Sequence, residues 1–151
     1  MSSLITQEVR AWIGRSDPPI TFEVTRRDII KYSIATEQRL EKYLLGDEAP
    51  PMFLFGADRP LSPIAELGPD GLMQDKLLPS LPLKRVMAGG VKKRFSGKVL
   101  PGDTLKITRT LSDIYEKPGG SGPLIFVAYE IHVTNQRNEL VIKETQSRII
   151  R

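Results

Sequence analysis

Apolar residues recur with two different periods along this chain, and the change comes near residue 84. In the first part the spacing is helical. Ser3 is placed to cap a short helix carrying Ile5, Val9 and Trp12, with Gly14 where a left-handed C-terminal residue is wanted. Asp17, Pro18 and Pro19 form a turn, and Ile20 to Val24 is a short extended run. Thr25, with Asp28 three positions on, has the pattern of a helix N-cap with a favourable charge in the first turn. The helix it starts carries Ile29, Ile30, Tyr32 and Ile34 and ends near Thr36. A second helical stretch runs from Gln38 to Leu45 and stops at Gly46. Pro50 disfavours helix at Ala49, whereas Pro51 suits a first turn, so the apolar run Met52 to Phe55 is expected in a buried helix starting at Pro51. Residues 57 to 83 are rich in proline and glycine without periodicity and read as a long surface loop, a feature that in a small domain is often functional.

From residue 84 the pattern becomes that of strands. Residues 84–95, 104–117, 123–135 and 140–150 are rich in Val, Ile, Thr and aromatics. Turn chemistry at Pro101 and Gly102, at Pro118 to Gly122, and at Asn135 to Asn138 separates the four. Four such runs predict an antiparallel meander. Leu105, Ile107, Arg109 and Leu111 keep one phase, which shifts at Ile114, so a bulge is expected near Ser112 or Asp113. Leu124 to Val133 is apolar on both faces until Glu130 and His132, as in a central strand. Gly89 and Gly90 inside the first run predict a bulge or the close approach of a ligand or another backbone. Helices followed by a meander define one α+β domain over residues 1–151, with helix packed on a sheet face.

Composition narrows the chemistry. A chain of 151 residues buries roughly 70% of the surface its unfolded form exposes, enough for a core without staples. There is no Cys, which removes disulfides, thiolate metal sites and a Cys nucleophile. This absence suits a reducing, cytoplasmic setting, and neither an apolar signal segment nor a membrane-spanning run is visible. Net charge is +4, but it is unevenly placed. Lys84, Arg85, Lys92, Lys93, Arg94, Lys98, Lys106 and Arg109 face only Asp103 within their segment. Such a segment either solvates a strand face or favours an anionic partner: a nucleotide, a phosphopantetheine carrier or nucleic acid.

General acid and base catalysis usually leans on His, and the single one, His132, falls in a strand beside Phe126, Ala128 and Glu130 with no nearby nucleophile. A strand His hydrogen-bonded to Glu130 accounts for it. No phosphate loop or dinucleotide fingerprint occurs, so no cofactor is expected, and nothing resembles a metal-ligand spacing. Asp28, Glu37, Asp47 and Asp103 are candidates for a lone base, and the sequence singles out none.

WIGR (12 to 15), VTRRDIIKYSIAT (24 to 36), PPMFLF (50 to 55), RVMAGG (85 to 90), LPGDTL (100 to 105) and GPLIFVAYEIHVTN (122 to 135), taken in this order and spacing, resemble the N-terminal half of MaoC-type dehydratases. These are also called FAS1-type dehydratase domains and include R-specific enoyl-CoA hydratases. The resemblance spans nearly the whole chain. It implies a hot-dog fold, an antiparallel sheet wrapped around a central helix, and action on acyl thioesters of CoA or an acyl carrier, with water added across or removed from a 2,3 double bond. The family's catalytic Asp and His lie in a D-x-N-P-x-H signature. Here the stretch after Ala35 and Thr36 reads EQRLEKYLLGDEAPP, with no Asn-Pro and no His.

The resemblance without the pair implies a non-catalytic subunit whose partner, a catalytic hot-dog chain, supplies Asp and His. On that reading no residue of this chain is catalytic. Met52, Phe53, Phe55, Met87, Gly89 and Gly90 would wall the acyl pocket, and Lys84, Arg85, Lys92 and Arg94 would contact the phosphates of CoA or the carrier. Buried Met and Phe are equally at home in a plain core. Two alternatives stand beside it: a self-sufficient homodimeric hydratase or thioesterase using a lone carboxylate, and a basic nucleic-acid-binding module. The last lacks the interleaved aromatics of a stacking platform.

Overall fold

The computed structural model describes residues 3–57 and 59–151; Asp58, inside the expected long loop, lies outside them. The chain order is α1 (Gln7–Arg10), β1 (Ile20–Glu23), α2 (Arg26–Ala35), α3 (Glu41–Leu44), a 3-10 turn (Ile64–Glu66), β2 (Val86–Phe95), β3 (Thr104–Gly119), β4 (Gly122–Thr134) and β5 (Leu140–Ile150). The strands form one antiparallel sheet in the order β1-β3-β4-β5-β2.

The meander holds for β3, β4 and β5 only. β2 does not join β3; it crosses to the far edge and pairs with β5, from Val86 opposite Ile150 to Phe95 opposite Ile142. The free edge of β3 is taken by β1, with Ile20 opposite Ile107. Residues 96–103 make the crossing and are tied down on the way, since Ser96 donates its backbone N–H to Val141 and Ala49 donates to Val99. β4 is the central strand, as its two apolar faces predict. The expected bulge is present, because Leu111 pairs with Tyr129 and Asp113 with Ala128, leaving Ser112 extra. Its hydroxyl donates to the Ala128 carbonyl at 3.0 Å.

One face of the sheet is covered. Along β4 it carries Ile125, Val127, Tyr129, Ile131 and Val133, all buried, and this inner face holds two apolar clusters. Toward one end Ile107, Ile131, Val133 and Ile142 pack with Ile29 of α2 and with Phe53 and Leu54. Toward the other, Leu111, Ile114, Val127 and Ile150 pack with Ile5, Val9, Leu77 and Leu81. The second half of the long loop is therefore a layer of the core and not only a surface excursion.

Local chemistry sets the helix ends. The Thr25 hydroxyl accepts the Asp28 N–H, as its pattern predicts. The first helix is capped by Thr6, whose side chain accepts from Val9, and not by Ser3; Ser3 instead donates to Glu116 at 2.7 Å, anchoring the segment on β3. Gly14 has the left-handed φ expected of it, +95°, but it closes the turns over residues 11–14; the helix itself already ends at Arg10, short of Trp12, with Ala11 as its cap. The second helical stretch contracts to α3, because Glu37 takes a left-handed φ of 54° and ends the preceding helix. No helix starts at Pro51. Residues 50–57 descend instead through successive turns closed by i→i−3 hydrogen bonds, with Phe53 donating to Pro50, Phe55 to Met52 and Ala57 to Leu54.

The paired glycines of β2 make a second bulge, between Ala88 and Gly90. A Cβ on Gly89 would stand 2.9 Å from the Ser147 carbonyl oxygen, so the close backbone approach is real. Gly89→Ala is expected to lower unfolding free energy by about 1–3 kcal/mol. An unchanged urea midpoint would show that the edge strand yields without cost.

Candidate functional site

The residues expected to wall an acyl pocket separate into different places. Phe53 is buried in the first cluster and meets Tyr32 and Phe22 edge-on, with ring centroids 5.6 and 6.1 Å away. It also lines a cavity of about 120 Å³ enclosed by Tyr43, Leu54, Phe95, Val99 and Ile142, with Glu48 and Lys98 at its polar margin. Two chain segments converge there because the Pro50–Pro51 turns press Phe53 and Leu54 toward the end of β2. Met52 and Phe55 point away and are exposed, Phe55 by 75%. Met87 lies at the opposite end of β2, paired with Ile149 on the outer face. Gly89 and Gly90 form the bulge beside it. One of the six residues thus contributes to the cavity.

The basic set divides in the same way. Lys84 and Arg85 precede β2, and the Arg85 backbone exchanges two hydrogen bonds with Arg151. Lys92 and Arg94 alternate with Lys93, and the pleat sends them to opposite faces. Lys93 turns inward to Glu144 at 2.9 Å, both side chains nearly buried. Lys92 and Arg94 turn outward and converge with Lys143 and Thr145 of β5 on a groove of about 220 Å³.

Between the two apolar clusters the inner face carries a charged knot that sequence reasoning missed. Asp75, from the long loop, accepts from Arg109 of β3 at 2.7 Å, from Arg148 of β5 and from the Tyr129 hydroxyl of β4 at 3.2 Å. Asp17 binds the other side of Arg109 at 2.7 Å. Both guanidinium groups also lie over the Tyr129 ring, 4.7 and 5.2 Å from its centroid. Burial alone would raise the Asp75 carboxyl, but the Arg109 hydrogen bond and the charges of Arg109 and Arg148 outweigh it and hold the group below its ordinary value. Burial and the Asp75 charge push the Tyr129 phenol far above its usual range, which keeps its hydroxyl a donor. One signal for this knot was in the sequence: Arg109 sits in phase with Leu105, Ile107 and Leu111, and a cation on a core face requires a counter-charge.

His132 lies on the outer face with Nε2 2.6 Å from Glu130 Oε1, which also holds Lys143 at 3.3 Å. It pairs with Lys143, next to the cavity-lining Ile142, but on the opposite face of the sheet from the apolar cavity. The four candidate carboxylates are dispersed. Asp28 accepts from its own cap Thr25, Asp47 pairs with Arg26, Asp103 braces the turn before β3 through Leu100 and Gln136, and Glu37 is exposed at the end of α2. Among the described residues no group of three or more His, Asp and Glu is placed to hold a metal ion, and no helix is long and apolar enough to cross a membrane.

A five-stranded antiparallel sheet curling over α2 is a hot-dog fold, and the solved structures it resembles agree. The unliganded R-hydratase of Pseudomonas aeruginosa matches with a TM-score of 0.61 at 19% identity, over 90% of this chain and 79% of that one. The truncated 3R-hydroxyacyl-ACP dehydratase complex of Mycobacterium tuberculosis matches with a TM-score of 0.63 at 17% identity, over 91% and 96%. At these identities the likeness concerns the fold. Residues 11–144 match the model of the FAS1-like dehydratase domain region, and the chain belongs to that family. It is 28% identical over 144 residues to the mesaconyl-C(4)-CoA hydratase of Chloroflexus aurantiacus, covering 93% of this chain and 50% of the relative. The chain thus spans about half the length of that relative.

Proposed function

We propose that this chain is the pocket-forming, non-catalytic subunit of an R-specific hydratase or dehydratase acting on an acyl thioester of CoA or an acyl carrier, paired in the cytoplasm with a catalytic hot-dog subunit. Hydration of an enoyl thioester needs a carboxylate and an imidazole close together, one to take a proton from water and the other to deliver one to the carbon beside the thioester. The only imidazole here is engaged with Glu130 on the outer face. The partner supplies the pair.

The observation that carries the reading is uncovered apolar surface on the elements that line the cavity. Val91 and Phe95 of β2 are 59% and 48% exposed, and Leu44 and Leu45 at α3 are exposed beside Tyr43. A monomer rarely leaves contiguous apolar surface open, and a ten-residue edge strand with unpaired backbone groups is a template for another chain. A second hot-dog unit laid against this side would close the cavity and bring its own carboxylate and imidazole to the mouth. The hydratase relative, twice as long as the match, supports the same arrangement.

Purified alone, the chain is expected not to hydrate crotonyl-CoA or a longer enoyl-CoA. Co-purified with a hot-dog chain bearing Asp and His, the complex is expected to do so. Turnover by the chain alone would overturn the subunit reading and favour the homodimeric enzyme with a lone carboxylate.

A further inference from the structure

The outer face of the sheet gathers like charges from two neighbouring strands around one groove. Arg94 stands directly opposite Lys143 across the β2–β5 ladder, and Lys92 is opposite Thr145. Like charges facing one another across a strand pair are destabilising. Lys143 is partly offset by Glu130, 3.3 Å away, but Lys92 and Arg94 have no ion-pair partner among the described residues. The three cations and the Thr145 hydroxyl surround the groove of about 220 Å³. The concentration is local: the neighbouring Lys93 is turned inward and neutralised by Glu144.

We propose that this groove is a binding site for a phosphate-type dianion or diphosphate, held by the Arg94 fork and by Lys92, Lys143 and Thr145. A guanidinium meets two phosphate oxygens with two parallel hydrogen bonds, and ammonium and hydroxyl groups satisfy the remaining oxygens. An anion between Arg94 and Lys143 turns their repulsion into attraction, so the unliganded protein is strained electrostatically and the liganded one is not. Of the basic residues singled out in the sequence, the site takes Lys92 and Arg94, adds Lys143 and leaves out Lys84 and Arg85. The same chemistry is offered by the nucleotide end of CoA and by a free phosphate compound. The choice of CoA as a probe rests on the thioester reading; the anion site itself stands on the groove.

Thermal unfolding of the full chain with inorganic pyrophosphate and, separately, with CoA provides the test. Wild type, the Arg94→Gln/Lys143→Gln double variant and the Lys84→Gln/Arg85→Gln double variant are compared at low and high ionic strength. Pyrophosphate is expected to raise the wild-type midpoint, less so at high salt, and to bind the Arg94/Lys143 variant about tenfold or more weakly. The Lys84/Arg85 variant should behave as wild type. Without ligand, the Arg94/Lys143 variant is expected to melt roughly 1–3 °C higher than wild type at low salt, a gain that mere structural damage does not produce. Tighter binding of CoA than of pyrophosphate, lost in the same variant, assigns the site to the thioester carrier. Pyrophosphate binding with no CoA binding keeps the anion site and removes CoA as its ligand, a result independent of the co-purification assay of hydration. Equal shifts in wild type and the Arg94/Lys143 variant, no shift in either, or displacement of pyrophosphate by a micromolar unrelated oligonucleotide overturns the proposal.

Discussion

Asp75→Ala is expected to lower unfolding free energy by about 3–5 kcal/mol, because it leaves two guanidinium groups without their shared counter-charge on a largely buried sheet face. Total stabilities of single domains are about 5–15 kcal/mol, so the variant should stand near the limit of folding. Arg109 retains Asp17, whereas Arg148 has Asp75 as its ion-pair partner among the described residues. Repulsion between the two arginines, previously masked, adds to the loss. The loop also loses its attachment, since Asp75 accepts the Leu77 N–H at 3.0 Å and thereby seats Leu77 in the second cluster.

The pH dependence carries the sign of a depressed carboxylate. Asp75 is held below its ordinary value of 3.8 in the folded state, so its contribution is complete above the unfolded pKa and is lost as pH falls through the lower folded one. Urea midpoints of wild type and Asp75→Asn are expected to differ most at neutral pH and to converge on acidification below about pH 3.9. A gap that persists unchanged through the acid range would mean that shape and hydrogen bonding, not charge, hold the knot.

Phe53→Ala is expected to cost about 3–5 kcal/mol, the range for removing a buried phenyl group. Phe53 is 8% exposed and packs edge-on against both Phe22 and Tyr32, contacts worth more than area alone. Phe55→Ala, two positions away, should shift stability by no more than about 0.5 kcal/mol, because that ring is in solvent. Chemical denaturation of the two variants side by side tests whether Phe53 is first a core residue and only second a wall of the cavity. Similar losses in both would mean that Phe55 packs as Phe53 does, and would overturn the assignment of Phe53 alone to the core.

How much of this was legible depends on the range of the interaction. The Thr25 cap, the left-handed Gly14, the Ser112 bulge and the central position of β4 are each written within a few residues, and local pattern sufficed. The crossing of β2 to β5 was not, because residues 86–95 pair with residues 142–150, and alternation states which face a strand buries but not which neighbour it takes. Asp75 escaped notice for the same reason. It meets partners 34, 54 and 73 positions away from a loop without periodicity. The missing helix at Pro51 shows propensity overruled: the apolar run is buried at Phe53 and Leu54, yet turns serve that end as well as a helix. The grouping of Met52, Phe53, Phe55 and Met87 as one surface failed because residue type carries no direction, whereas the split of Lys92 and Arg94 from Lys93 follows from the pleat alone.

The strand order also sets a timetable. β3, β4 and β5 form from neighbours in the chain, but β2 is synthesised before all three and has to wait for residues 140–150 to leave the ribosome before its backbone is paired. During that interval it is an open edge in a crowded setting, the condition in which strands join the wrong chain. Its consecutive Lys92, Lys93 and Arg94 make such an encounter between two nascent copies repulsive.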